Sequence, residues 1–126
     1  MASSFLSLFL LSAVGCVLIG SAIATEHQVG DKAGWTLPPN PSFYEEWAKT
    51  KKFVVGDVLV FEYKTSVHNV LEVTKDDFDS CTQFKPIAMY YKSPTKITLK
   101  EPGQHFFYCG VGIHCEGAQK LVINVE

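Results

Sequence analysis

The chemistry-bearing residues of this chain crowd into Tyr108-Cys109-Gly110-Val111-Gly112-Ile113-His114-Cys115-Glu116-Gly117-Ala118-Gln119. Cys109 ends an aromatic run, and His114 follows five positions later across a segment with two glycines. The freedom of Gly110 and Gly112 lets the chain fold back so that thiolate and imidazole meet one metal ion. His68 offers a second imidazole from a distant part of the chain, and Gln119 a carbonyl oxygen five residues beyond His114. Two imidazoles, one thiolate and a weak fourth donor suit copper that changes oxidation state by one electron. Thiolate and imidazole stabilise Cu(I), and a trigonal His-His-Cys set with a long axial Met or Gln oxygen still accepts Cu(II). Zinc on Cys109, Cys115, His68 and His114 is the competing reading, but the spacing lacks the Cys-x2–4-Cys knuckle of structural zinc. His27 and His105 are read as non-ligands. Four residues of extended chain put His105 about 13 Å from Cys109.

Cysteine arithmetic also points to a site. Residues 1–24 carry no charged side chain, and an apolar stretch from Phe5 to Ile19 runs into Gly20-Ser21-Ala22-Ile23-Ala24. This is the pattern of a secretory signal with a small-residue cleavage site. Cleavage after Ala24 leaves 126 − 24 = 102 residues and removes Cys16, so the mature chain keeps Cys81, Cys109 and Cys115. In an oxidising compartment two of three cysteines should pair. The third is a reactive thiol, an intermolecular link or a metal ligand.

The elements that must position these groups read as strands. Val58–Tyr63, Val67–Val73, Ile97–Leu99, Gln104–Cys109 and Leu121–Val125 are rich in β-branched and aromatic residues and bounded by Gly, Pro, Asp or Ser. Gly56-Asp57 and Pro102-Gly103 mark turns. Ser42 with Glu45 three residues on is a capping-box signature for a short helix over residues 42–48, and a second helical turn is expected at Lys75–Asp79. Several short strands in about 100 residues fit an all-β, two-sheet Greek-key sandwich. With no repeat or linker, residues 25–126 are expected to form one domain.

Composition narrows the function classes. The chain of 126 residues has 11 basic residues against 13 acidic ones, a net charge of −2, and every basic residue is Lys. A chain without an Arg cluster or basic surplus is a poor nucleic-acid binder. At 47% hydrophobic, 19% charged and 13% aromatic residues it is not disordered. Its four histidines form no His-x-His pair, as a multicopper oxidase would require, and no Gly-x-Ser-x-Gly is present for hydrolysis. No enzyme is expected.

The residues from His27-Gln-Val-Gly30 and Gly34-Trp35, through Phe53-Val-Val-Gly-Asp57 and His68-Asn-Val70, to the Cys109–Gln119 loop resemble the phytocyanins. These are plant blue copper proteins of the cupredoxin fold, and the resemblance spans nearly the whole mature chain. It implies a type 1 copper site with ligands His68, Cys109 and His114 and with Gln119 at the axial place, as in the stellacyanin-like subgroup. It also implies a Cys81–Cys115 disulfide. To this an extended His114-Cys115 segment would add that the two side chains face opposite ways. Family members commonly carry Gly just before the axial residue, where this chain has Ala118.

The resemblance implies a monomer, secreted to the apoplast or cell wall, that carries single electrons between small-molecule or protein partners. A noncatalytic cell-wall or signalling module in which copper is secondary is the alternative. The chain ends without the apolar tail of a GPI signal, so no membrane anchor is expected.

Overall fold

The computed structural model describes residues 23–82 and 84–126. The expected signal segment, residues 1–24, falls almost wholly outside them. Seven strands are described: β1 (Glu26–Gln28), β2 (Val58–Phe61), β3 (Val70–Val73), β4 (Ala88–Tyr90), β5 (Thr95–Thr98), β6 (Gly103–Tyr108) and β7 (Lys120–Val125). Two short helices, α1 (Phe43–Lys49) and α2 (Lys75–Ser80), and one 3-10 turn at Asp31–Ala33 accompany them. The strands form a three-stranded sheet in the order β1-β2-β5 and a four-stranded sheet in the order β4-β3-β6-β7. The four-stranded sheet is antiparallel throughout, whereas β1 runs parallel to β2. The two-sheet sandwich expected from the strand pattern is the architecture found. Among the described residues, no helix is long and apolar enough to cross a membrane.

The period-2 alternation of β6 organises the interior. Phe107 and Cys109 face the other sheet and join the main core with Trp35, Tyr44, Leu59, Phe61, Val70 and Leu121. Phe106 and Tyr108 point the opposite way, into a smaller apolar cluster with Leu71, Val73 and Cys115. That cluster also takes in Phe78 of α2 and Cys81 at its end, so the helix seals the outer face of the sheet. Covering both faces explains why β3 and the Phe106–Tyr108 half of β6 read as apolar runs rather than as clean alternation.

Several local expectations change in three dimensions. Ser42 precedes α1 but makes no side-chain cap; its hydroxyl instead donates to Asn40 Oδ1 at 3.1 Å. The side-chain cap appears on α2, where Thr74 Oγ1 accepts from the Asp77 amide at 3.3 Å. His68 lies just before β3 in a turn, with its amide donating to Lys64 O, and not within a strand from Val67. Strands β1 and β4 have three residues each, too few to show a period; their pairing partners define them.

Candidate metal centre

Three segments supply the site: the turn before β3, the end of β6 and the β6–β7 loop. Cys109 Sγ lies 3.4 Å from His114 Nδ1 and 3.9 Å from His68 Nδ1. The possible ligand atoms of His68, Cys109 and His114 all fall within 4.8 Å of one another. The two imidazole rings are 4.9 Å apart at their centroids. His68 and Cys109 are buried and His114 is half-buried, so the cluster reaches the surface at the His114 ring.

The connecting loop is a series of tight turns. His114 N–H donates to Val111 O, Gly117 N–H to Ile113 O, and Ala118 N–H to Cys115 O. Cys109 N–H donates to Gln119 O and Gln119 N–H to His114 O, both at 3.0 Å. These bonds close the loop and fix the backbone of Cys109, His114 and Gln119 relative to one another. The Cys81–Cys115 disulfide is present, with an S–S length of 2.02 Å across 34 residues. Closing a loop of that length is worth about 3.5–4 kcal/mol in the chain-entropy account. The supporting premise of an extended His114-Cys115 segment does not hold, because both residues belong to the turns. Cys115 instead reaches the outer cluster through that turn geometry.

Ala118 has φ 73°, a left-handed conformation that costs a side-chain-bearing residue about 1–2 kcal/mol. The family resemblance implies Gly here, and the backbone has the geometry a glycine would adopt most easily. The turn before Gln119 is therefore formed at a cost.

Asn69 is the supporting residue that sequence reasoning undervalued. Its Oδ1 accepts from Gly110 N–H at 2.7 Å, tying the turn that carries His68 to the residue after Cys109. Its backbone N–H and that of Val111 lie beside the Cys109 sulfur. Burial raises the Cys109 thiol pKa, and these two N–H groups oppose the rise. The proximity of Asn69 to the sulfur follows from its place beside His68, but its amide clamp needs the fold.

Gln119 is fully buried, and neither its Oε1 nor its Nε2 has a hydrogen-bond partner. An orphaned buried amide of this kind costs about 1–3 kcal/mol. It sits beside His68, close enough to oppose, without hydrogen-bond geometry, the lowering of that ring's pKa by burial and by His114. A buried thiol, two imidazoles with no carboxylate partner among the described residues and an amide with unused polar atoms form a donor set that fits copper. Cys115, the extra ligand of the zinc alternative, is committed to the disulfide.

The residues read as non-ligands have other partners. His27 Nε2 meets Asp57 Oδ2 at 2.9 Å. His105 Nε2 lies 2.8 Å from Glu101 O, and its Nδ1 lies 3.5 Å from Glu72 Oε2.

The model of the plastocyanin-like domain matches residues 35–119. Cucumber peeling cupredoxin of Cucumis sativus is 45% identical over 104 residues, covering 81% of this chain and 76% of that protein. Stellacyanin of Toxicodendron vernicifluum is 44% identical over 103 residues, covering 80% of this chain and 96% of its own length. The solved structure of cucumber stellacyanin with Cu2+ at pH 7.0 superposes with a TM-score of 0.75 at 42% identity, over 82% of this chain and 96% of that one.

Proposed function

This chain belongs to the plastocyanin-like family, in its phytocyanin branch of blue copper proteins, and from that premise we propose that it is a secreted one-electron carrier with a single type 1 copper. His68, Cys109 and His114 would hold the metal, with Gln119 as the weak fourth donor. When bound, copper supplies a reversible Cu(II)/Cu(I) couple. The observation that carries the reading is the meeting of one thiol and two imidazoles beside a fully buried amide with no other partner.

The chain contributes rigidity and selectivity. The bonds among Cys109, His114 and Gln119 hold three of the donors in one loop, and the disulfide anchors that loop to α2. A site held this firmly changes little between oxidation states, which keeps electron transfer from requiring rearrangement. Burial excludes water from Cys109 and His68, and the half-buried His114 ring is where a redox partner would approach the site most closely. Gln119 Oε1 is a harder donor than a thioether and favours Cu(II).

The same reading makes the protein a monomer acting outside the cell, where the Cys81–Cys115 bond persists. Its redox partners are small molecules or other proteins. The test is the visible and electron paramagnetic resonance spectra of purified protein titrated with Cu(II). One equivalent should give the intense thiolate-to-copper band of a blue site. A colourless protein that holds stoichiometric zinc and resists exchange overturns the proposal.

A further inference from the structure

The Trp35 indole lies in the main core, 1% exposed, 4.9 Å from the Tyr44 ring and 5.0 Å from the Phe61 ring. Packing accounts for its faces but not for its one polar atom. Nε1–H donates to the backbone carbonyl of Asn69 at 2.8 Å, across 34 residues. Asn69 links His68 to β3, clamps the Gly110 amide with its side chain and has its own N–H beside the Cys109 sulfur. We propose that Trp35 is a positioning residue for the metal centre, fixing through this one bond the backbone orientation from which Asn69 holds both His68 and the Cys109-Gly110 turn. The inference deepens the copper reading and rests on it for its redox consequence.

Trp35 is itself firmly placed. Its N–H donates to Glu62 O at 2.8 Å. Gly34 before it has φ +69°, and a Cβ there would lie 2.8 Å from Glu62 O, so the close approach of this segment to the chain after β2 depends on glycine. The Tyr44 hydroxyl bridges the neighbouring backbone, donating to Gly34 O at 2.7 Å and accepting from Thr36 N–H at 2.9 Å. The indole donor is thus supported on both sides by bonds that do not involve the site.

The direction of the effect follows from the sulfur. An N–H aimed at a thiolate stabilises its extra charge in the reduced centre, so loosening Asn69 should lower the reduction potential. In the metal-free protein, losing the donor should expose the Gly110 amide to solvent more often, by about tenfold for one lost buried hydrogen bond.

The test replaces Trp35 with Phe and, in parallel, with 3-benzothienylalanine, which keeps the shape of indole but has sulfur in place of N–H. Amide hydrogen exchange is measured on the full mature chain without metal, and the potential after copper loading. Support is an approximately tenfold faster Gly110 exchange with unchanged β6–β7 ladder amides, together with a lowered potential. The isosteric replacement decides the matter if Trp35→Phe does not fold. Unchanged Gly110 exchange, or equal acceleration of all amides, overturns the positioning role. If Gly110 alone accelerates but wild-type protein gives no blue band with Cu(II), the positioning by Trp35 stands and the copper reading falls.

Discussion

Two buried histidines, His27 and His68, occupy different regions of this sandwich and are treated in opposite ways. His27, in β1, meets the Asp57 carboxylate at 2.9 Å. That carboxylate also accepts the Thr25 amide at 3.0 Å and the Val54 amide at 3.1 Å, so the whole cluster is satisfied. His68 has a thiol sulfur at 3.9 Å, a second imidazole beside it and an orphaned amide. Both are buried, at 8% and 9% exposure, so burial alone distinguishes nothing. The difference lies in what each is buried with. The histidine that latches the fold is given a carboxylate and hydrogen bonds, whereas His68 is surrounded by a thiol, an imidazole and an amide, the donors of the proposed metal site.

The sharpest test of that contrast is Cys109→Ser, which should abolish the thiolate-to-copper band altogether while the protein still unfolds cooperatively. Absorption spectra of the copper-titrated variant, beside its thermal unfolding, check both halves. A retained blue band would mean that the sulfur is not a ligand and that the two histidines do not differ as argued.

The converse substitution belongs to the latch. Asp57→Asn should cost about 1.5–3 kcal/mol of stability at neutral pH, the worth of hydrogen bonds to a charged group, and leave the potential unchanged. Burial alone would push the Asp57 carboxyl up, but the His27 ring and the Thr25 and Val54 amides outweigh it and hold the pKa below its ordinary value. A depressed folded-state pKa contributes stability that is complete above the unfolded value of about 3.9 and is lost as pH falls through the folded one. Urea unfolding at pH 7 and near pH 2 should therefore show the gap between wild type and Asp57→Asn closing in acid. A gap independent of pH would assign the loss to packing.

Within the metal region, Gln119→Met should raise the reduction potential. If the two oxidation states change in relative stability by about 1.5–3 kcal/mol, the shift is roughly 60–130 mV at about 59 mV per tenfold change. Voltammetry of both proteins in one buffer measures it. An unchanged or lowered value would remove Gln119 from the axial place and leave its buried amide without an explanation.

The smallest effect is expected at Ala118. Glycine relieves the left-handed strain of about 1–2 kcal/mol but gives back about 0.4–1 kcal/mol through a more flexible unfolded chain. Ala118→Gly should stabilise by about 0.5–1 kcal/mol, measured by denaturant midpoint, and extend the contrast from side chains to backbone. Destabilisation would mean that the alanine methyl group makes packing that outweighs its conformation.

The strand order of chemistry along β6 was fixed by local sequence. Alternation through Phe106, Phe107, Tyr108 and Cys109 places the thiol on the core face, and the Cys109–His114 spacing with Gly110 and Gly112 permits a closed loop. Those properties depend on neighbours within a few residues, and so did the helix at α2 with its Thr74 cap. Tertiary structure alone decided what lay far apart in the chain: that His68, 41 residues from Cys109, turns toward the sulfur, that His27 finds Asp57, and that Gln119 is buried without a partner. It also decided where β1 and β4 form and that the His114-Cys115 segment of the loop is a turn rather than extended. The physical reason is range. Periodicity and turn chemistry act over one strand or one loop, whereas desolvation and hydrogen-bond satisfaction are set by whichever distant segments the two sheets bring together.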